Sequence, residues 1–506
     1  MNKAIYIATS EQNSGKSIIT LGLMSMLIGK MAKVGYFRPI VEDFEEGGFD
    51  NHIETVIGHF GMDIEFEDAY AITKSKLIKK KNKGKIGEVL DLIIEKYKKL
   101  EERFDFVLVE GTSFTGEGTV IELDMNVLIA KNLGIPTIIV GSGVGKTLEE
   151  LIDSLYLAYD SFKVKDVEVL AVIANKVQPE TIELVTNGLR KSLPKSILVN
   201  SIPLIHNLNN PTVQEIVNEL DAKVLFGSAH LNNQPGNFSV GAMQLCNYLL
   251  HLKENSLVIT PGDRADIILG ALQANESVNY PTISGIVLTG NILPEISILK
   301  LIEGLSTIVP IIAVEEGTYY ITNKIGSIKS KIYANNKQKI EISISTFEKY
   351  VDLDNLAEKL ITFQAEGMTP KMFQYNLVKR ARQHRKHIVL PEGNDERIII
   401  AASQLLTMDV VDISIIGNKK QIENKVAELG LPFDFSKIKI INPIESEHYD
   451  DYVNTYYELR KAKNVTIGMA KDLMEDVSYF GTMMVYKGHA DGMVSGAAHT
   501  TQHTIL

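Results

Sequence analysis

Five residues near one end of the chain, Ser495, Gly496, His499, Thr500 and Thr501, have the types and spacing to handle an anion. They follow a short apolar run, Met493–Val494, that suits a buried strand. Small residues let a backbone approach a ligand, and hydroxyls can donate to it. A helix beginning at Ala498 or His499 would aim its free N–H groups at a negative charge. His499 could equally be a hydrogen-bonding residue at a helix start. A second candidate lies near the other end, where Thr9–Ser17 follows the apolar run Ala4–Ala8. Here Asn13, Gly15 and Ser17 could supply N–H donors to a phosphate, with Lys16 as a point charge. Ser10 stands where a full phosphate-binding loop has its first glycine, so a tight turn with a surface lysine competes with that reading. Glu110 closes the apolar run Phe106–Val109, where a magnesium-holding acid would sit. An ordinary strand-end carboxylate is the alternative. Asn175–Lys176, ending another apolar run, could contact a nucleotide base.

These residues need strands and helices to hold them. After the first loop, Ile18–Lys33 carries apolar residues at helical spacing. Strands are expected at 36–37, 106–109, 137–140, 168–174 and 197–199, with helices from Asn51 and over 87–99. Alternating β and α elements of this kind build a doubly wound parallel sheet. Gly141–Thr147 imitates a second phosphate loop, but its glycine spacing is one residue short. It reads as a glycine-rich turn into a helix from Thr147. Three further strand-like runs, 257–260, 284–289 and 309–314, form a middle module. In it Asp263, Arg264 and Asp266 read as a helix-start cap with a local ion pair. Then a polar boundary and a connecting helix pair lead to strands at 387–390, 412–416, 437–441 and 490–494. The cations Lys379, Arg380, Arg382, Arg385 and Lys386 read as a solvated basic face rather than a docking surface. Asp395 can cap the helix that Arg397–Leu406 form.

Bulk properties exclude several classes. A chain of 506 residues suggests roughly three domains. Its net charge of −11 and pI near 5.6 argue against bulk nucleic-acid binding. The lone Cys246 excludes an internal disulfide and a cysteine-rich metal site. No apolar run is long enough to span a membrane. A soluble cytoplasmic protein is the expectation.

Arg38-Pro39-Ile40 and Val109-Glu110-Gly111 resemble the dethiobiotin-synthetase-like branch of the P-loop proteins. Gly262-Asp-Arg-Ala-Asp266, paired with Gly285-Ile-Val-Leu-Thr-Gly290, resembles the DRTGG domain. Four motifs then occur in order: Met368-Thr-Pro-Lys-Met-Phe373, Leu390-Pro-Glu-Gly-Asn-Asp-Glu-Arg397, Glu458-Leu-Arg-Lys461, and Asp491-Gly-Met-Val-Ser-Gly-Ala-Ala-His-Thr-Thr501. Together they resemble the start of the phosphate acetyltransferase catalytic domain, and the whole chain resembles the long bacterial form of that family. The resemblance implies three α/β domains. Residues 1–225 would be a P-loop-type parallel sheet and 226–335 a small DRTGG regulatory module. Linker helices over 336–367 would lead to 368–506, the first lobe of an isocitrate-dehydrogenase-like α/β/α domain.

It also implies a reaction: reversible acetyl transfer between acetyl-CoA and phosphate, giving acetyl phosphate and CoA. Transfer would be direct, with an aspartate taking the thiol proton and a serine and arginines stabilising the developing charge. CoA and acetyl-CoA would be substrates, with no required cofactor or metal. A nucleotide effector could act on the N-terminal domain, and several chains would assemble into a homo-oligomer. Arg460 matches a family arginine that holds phosphate or CoA; a helix-end arginine favoured by the dipole is the alternative. Ser495, Gly496, His499, Thr500 and Thr501 match the phosphate-side turn. The serine, aspartate and further arginines of the reacting lobe are expected beyond Leu506, so the resemblance implies a truncated or split form whose competence is open.

Overall fold

The fold is seen in a computed structural model that describes residues 4–44, 48–112, 119–305, 309–328, 330–363 and 368–498. It divides into two compact units, Met1–Thr369 and Pro370–Leu506. Among the described residues no helix is long and apolar enough to cross a membrane.

The first unit holds two sheets. Its larger sheet has seven strands: β1 (Ala4–Thr9), β2 (Val34–Val41), β3 (Tyr70–Thr73), β4 (Phe106–Glu110), β5 (Thr137–Ser142), β6 (Val169–Val177) and β7 (Leu198–Pro203). Their order is β3-β2-β4-β1-β5-β6-β7, and every pairing is parallel. The central strands β1 and β4 are buried at every position, as expected when helices cover both faces. The expected doubly wound sheet is therefore present, with an edge strand, β3, that the sequence reading missed. Because β1 and β4 are parallel neighbours, with Ile7 opposite Glu110, the loop after β1 and the carboxylate ending β4 meet at one sheet edge. Crevices at the carboxyl ends of such strands are where α/β sheets bind ligands.

The smaller sheet contains β8 (Lys223–Phe226), β9 (Asn237–Val240), β10 (Ser256–Pro261), β11 (Ile283–Thr289) and β12 (Ile311–Ala313). The order is β8-β12-β11-β10-β9, with only β8 antiparallel. The helix Val213–Leu220 packs Val213, Ile216 and Leu220 into this sheet's core, against Leu257, Ile259 and Val287. The core of this module thus draws on residues ahead of the expected boundary at 226, from Val213 on.

The segment expected as linker helices forms two helices, Lys337–Tyr350 and Leu353–Thr362. The helix Lys337–Tyr350 is built into the first unit. Phe347 is fully buried against the helix Lys16–Lys30, where a Cβ on Gly22 would lie 2.1 Å from the Phe347 ring. Near the other end of the helix, Lys339 Nζ lies 2.6 Å from Glu215 Oε2 in a buried pair. One helix thus reaches both the phosphate-loop helix and the second module.

The second unit is a four-stranded parallel sheet of β13 (His387–Leu390), β14 (Asp412–Ile416), β15 (Ile438–Ile441) and β16 (Gly492–Met493), in the order β15-β14-β13-β16. Alternate residues serve opposite faces. Val389 and Ile416 pack with Tyr452, Met474 and Phe480 on one. Leu390, Ile413 and Ile415 pack with Ile399, Ile422 and Ala497 on the other. Asp395 caps the helix Glu396–Met408 as expected, accepting from the Arg397 N–H. The basic face is mostly exposed, as expected, and several of its cations hold surface partners. Arg385 pairs with Asp409 and Asp412, Lys386 with Asp491, and Arg382 donates to the Met408 carbonyl.

Candidate functional site

Two corners of the molecule combine backbone N–H groups or cations with a place for an anion. In each, a glutamate of the chain itself occupies that place.

At the first corner, Gly15 precedes the helix Lys16–Lys30 with φ +75°, and a Cβ there would lie 2.3 Å from Asn175 Nδ2. Both constraints demand glycine. Asn175 Nδ2 donates to the carbonyls of Ser14 and Gly15 at 2.8 and 3.2 Å, so it braces the loop and spends its amide doing so. Lys16 does not point to solvent. It is 4% exposed, donates to the Gly111 carbonyl, and lies 3.2 Å from Glu110 Oε1. Glu110 is fully buried and is the hub of the corner. Its Oε2 accepts from Thr20 Oγ1 at 2.8 Å and from the Tyr36 hydroxyl at 2.9 Å. Its Oε1 makes no well-aligned hydrogen bond but lies near Arg38 Nε at 3.7 Å and His52 Nδ1 at 3.2 Å besides Lys16. Arg38 is itself held by Asp50 at 2.6 Å. Burial opposes ionisation of Glu110, but Lys16, His52 and Arg38 outweigh it and hold its pKa well below the usual carboxylate range. Ser17 Oγ lies 3.5 Å from His52 Nδ1.

The donor set of a magnesium–nucleotide site is thus engaged internally. Lys16 faces a carboxylate, and Glu110 is enclosed by donors and cations that a metal ion would have to displace. The residues as they stand do not fit that group: Lys16 and Glu110 here form a buried ion pair. Asn13 keeps a left-handed backbone, φ +54°, in the loop. The imitation loop behaves as expected: Thr147 caps the helix Leu148–Lys163 in a reciprocal capping box with Glu150. In the middle module Arg264 forms the expected local pair with Asp266, at 2.8 Å.

The second corner lies in the other unit, at the carboxyl end of β16. The N–H groups of Gly496, Ala497 and Ala498 converge, as the sequence suggested, but on Glu392. Its Oε2 accepts from Gly496 and Ala497 at 2.9 and 2.7 Å, and its Oε1 from Ala498 at 2.7 Å. Gly496 is therefore not a free phosphate donor; its amide is already bonded to a carboxylate that is 5% exposed. The Arg397 guanidinium donates to the Ala497 carbonyl. Ser495 Oγ is enclosed and has no hydrogen-bond partner among the described residues. His499, Thr500 and Thr501 lie outside the described residues. Arg460 ends the helix Tyr449–Arg460, half-buried and near Tyr456. That helix packs on the Phe480 face, whereas Ala497 belongs to the opposite one. Among the described residues no hydrogen bond or ion pair joins Arg460 to the turn. Sequence reasoning assigned no role to Glu392, although Pro391-Glu392-Gly393 follows the strand expected at 387–390.

Comparisons with known proteins agree with this layout. The phosphate acetyl/butaryl transferase family matches residues 372–506, an AAA domain matches 3–212, and the DRTGG domain matches 215–328. The chain is 39% identical to a phosphate acetyltransferase of Nitratidesulfovibrio vulgaris, covering 100% of this chain and 72% of that protein. It is 38% identical to a phosphate acetyltransferase of a Synechocystis species, covering 100% of this chain and 73% of the relative. Among solved structures, the EutD phosphotransacetylase from Staphylococcus aureus is 42% identical over 25% of this chain and 38% of its own, with a TM-score of 0.23.

Proposed function

Because the chain belongs to the phosphate acetyltransferase family, we propose that it moves an acetyl group reversibly between the thiol of CoA and inorganic phosphate. In the forward direction a phosphate oxygen forms a bond to the acetyl carbonyl carbon. The carbon–sulfur bond breaks, and the CoA sulfur leaves with the electron pair and takes up a proton. Negative charge passes through the carbonyl oxygen, so the chemistry needs fixed donors near it and no redox or hydride step. The observation that carries this reading is Ser495. Its hydroxyl is enclosed and lacks a hydrogen-bond partner among the described residues, while the amides of Gly496, Ala497 and Ala498 are bonded, so it is the polar group offered to a substrate oxygen. His499, Thr500, Thr501 and Arg460 belong to the same proposal as substrate-side residues. A cytoplasmic location and assembly of several chains are parts of it too.

A nucleotide-sensing role for the first unit is the alternative class. A nucleotide effector at Lys16 would have to break the pair with Glu110, so the geometry favours the transferase reading. The test is release of free thiol from acetyl-CoA. We expect release that depends on phosphate or arsenate and is lost in Ser495→Ala by about a hundredfold in kcat/KM, the low end of the usual scale for losing a transition-state donor. A thermal shift with ATP and no thiol release would favour the sensor.

A further inference from the structure

We infer that Glu392 is the positioning residue of the Ser495 turn: it shapes the turn that presents Ser495 without itself meeting substrate. The inference rests on the transferase reading for what the turn presents, but its geometry stands alone. Val494 N–H donates to the Val389 carbonyl at 3.0 Å, carrying the pairing of β13 and β16 to the strand ends. Parallel strands finish at the same edge, so Pro391-Glu392-Gly393, leaving β13, arrives beside Ser495–Ala498, leaving β16. The segment carrying Glu392 is pressed onto β14. A Cβ on Gly393 would lie 2.7 Å from the Ile416 carbonyl oxygen, and the Gly393 N–H donates to that carbonyl at 3.2 Å. Glu392 therefore reaches out from a fixed base.

One carboxylate then collects three consecutive backbone N–H groups. An ionised acceptor makes such bonds about twice as strong as a neutral one. Gly496 adopts φ +111°, a backbone that side-chain-bearing residues rarely take, so the turn needs something to hold it in that shape. Arg397 grips the same turn from its carbonyl side, and Asp395 holds the guanidinium at 2.8 Å. The N–H groups and a carbonyl of one turn are thus clamped by two residues of a single motif about a hundred positions earlier in the chain. Among the described residues, what the clamp leaves without a partner is Ser495 Oγ.

The experiment compares the full chain with Glu392→Gln and Glu392→Asp by hydrogen exchange and by phosphate-dependent thiol release. In Glu392→Gln we expect the amides of Gly496, Ala497 and Ala498 to exchange about tenfold faster, with those of the helix Glu396–Met408 unchanged. The KM for phosphate should rise about tenfold with a smaller change in kcat, and Glu392→Asp should recover part of it. Exchange that is unchanged at 496–498 overturns the inference. So does exchange accelerated across the whole second unit, which would make Glu392 a fold residue only. Loss of protection at 496–498 when phosphate is added to the unaltered protein also overturns it, since Glu392 would then be a displaceable occupant. If the unaltered protein releases no thiol, the transferase reading fails, and the exchange pattern still decides the position of Glu392.

Discussion

Replacing Glu110 by alanine should destabilise the first unit by about 3–5 kcal/mol, the scale for breaking a buried ion pair from one side. The reason is what remains. Lys16 and Arg38 are both buried, and among the described residues Asp50 would be the carboxylate left beside them, already committed to Arg38 at 2.6 Å. Thr20 Oγ1 and the Tyr36 hydroxyl would also lose their acceptor. Urea denaturation followed by tryptophan-free probes such as far-ultraviolet circular dichroism would read the loss as a lower midpoint. Removing both partners, Lys16→Met with Glu110→Leu, should recover much of it, because well-packed apolar replacements of a buried pair are often neutral. The pair also sets an acid limit. Glu110 is held well below its ordinary pKa of 4.5, so its contribution is complete above that value and is lost as pH falls through the lowered one. The melting temperature of the unaltered protein should therefore fall below about pH 4.5. That part of the fall should be missing in Glu110→Gln.

Phe347→Ala should cost a comparable amount, about 3–5 kcal/mol, the range for deleting a buried aromatic side chain. Phe347 is fully buried and fills the notch left by Gly22 on the helix Lys16–Lys30. Without it, the helix Lys337–Tyr350 loses its main apolar anchor there, while Lys339 stays tied to Glu215. We expect a lowered denaturation midpoint together with faster proteolytic cleavage between residues 336 and 369. A midpoint change with no new cleavage there would mean that the helix is held elsewhere.

Much of the fold was legible because its signals are local. Buried parallel strands write themselves as runs such as Phe106–Val109, and Asp395 marks a helix start by its side chain alone. What failed to show were relations between distant segments. β3, Tyr70–Thr73, is short and only partly buried, so it lacks the continuous apolar run of its neighbours. The helix Val213–Leu220 looks the same in sequence whichever sheet it covers. Its apolar stripe gives the period but not the partner. Where the expected linker helices pack was hidden for the same reason, since Phe347 and Gly22 stand far apart in the chain and neither is unusual alone.

The candidate sites were legible in kind but not in occupancy. Converging amides at Gly496 and a lysine after Gly15 are properties of a loop, readable from residue types. Whether an anion from solution or a carboxylate from the chain answers them depends on which strands are neighbours. Glu110 ends β4 beside β1, and Glu392 follows β13 beside β16. Sequence order hides both adjacencies, and both glutamates lie in strand-end positions that also suit ligand binding. The two corners share a design in which an internal carboxylate completes the electrostatics of an anion site and fixes its shape. At the Ser495 turn that leaves a hydroxyl, rather than an amide nest, as the group for substrate.

The most direct check of this account is a crystal structure of the full chain grown or soaked in a high concentration of phosphate. The account predicts the Glu392 carboxylate still bonded to the amides of Gly496, Ala497 and Ala498, with any phosphate at that corner lying against Ser495 Oγ. Phosphate seated on those three amides, with Glu392 turned away, would contradict it.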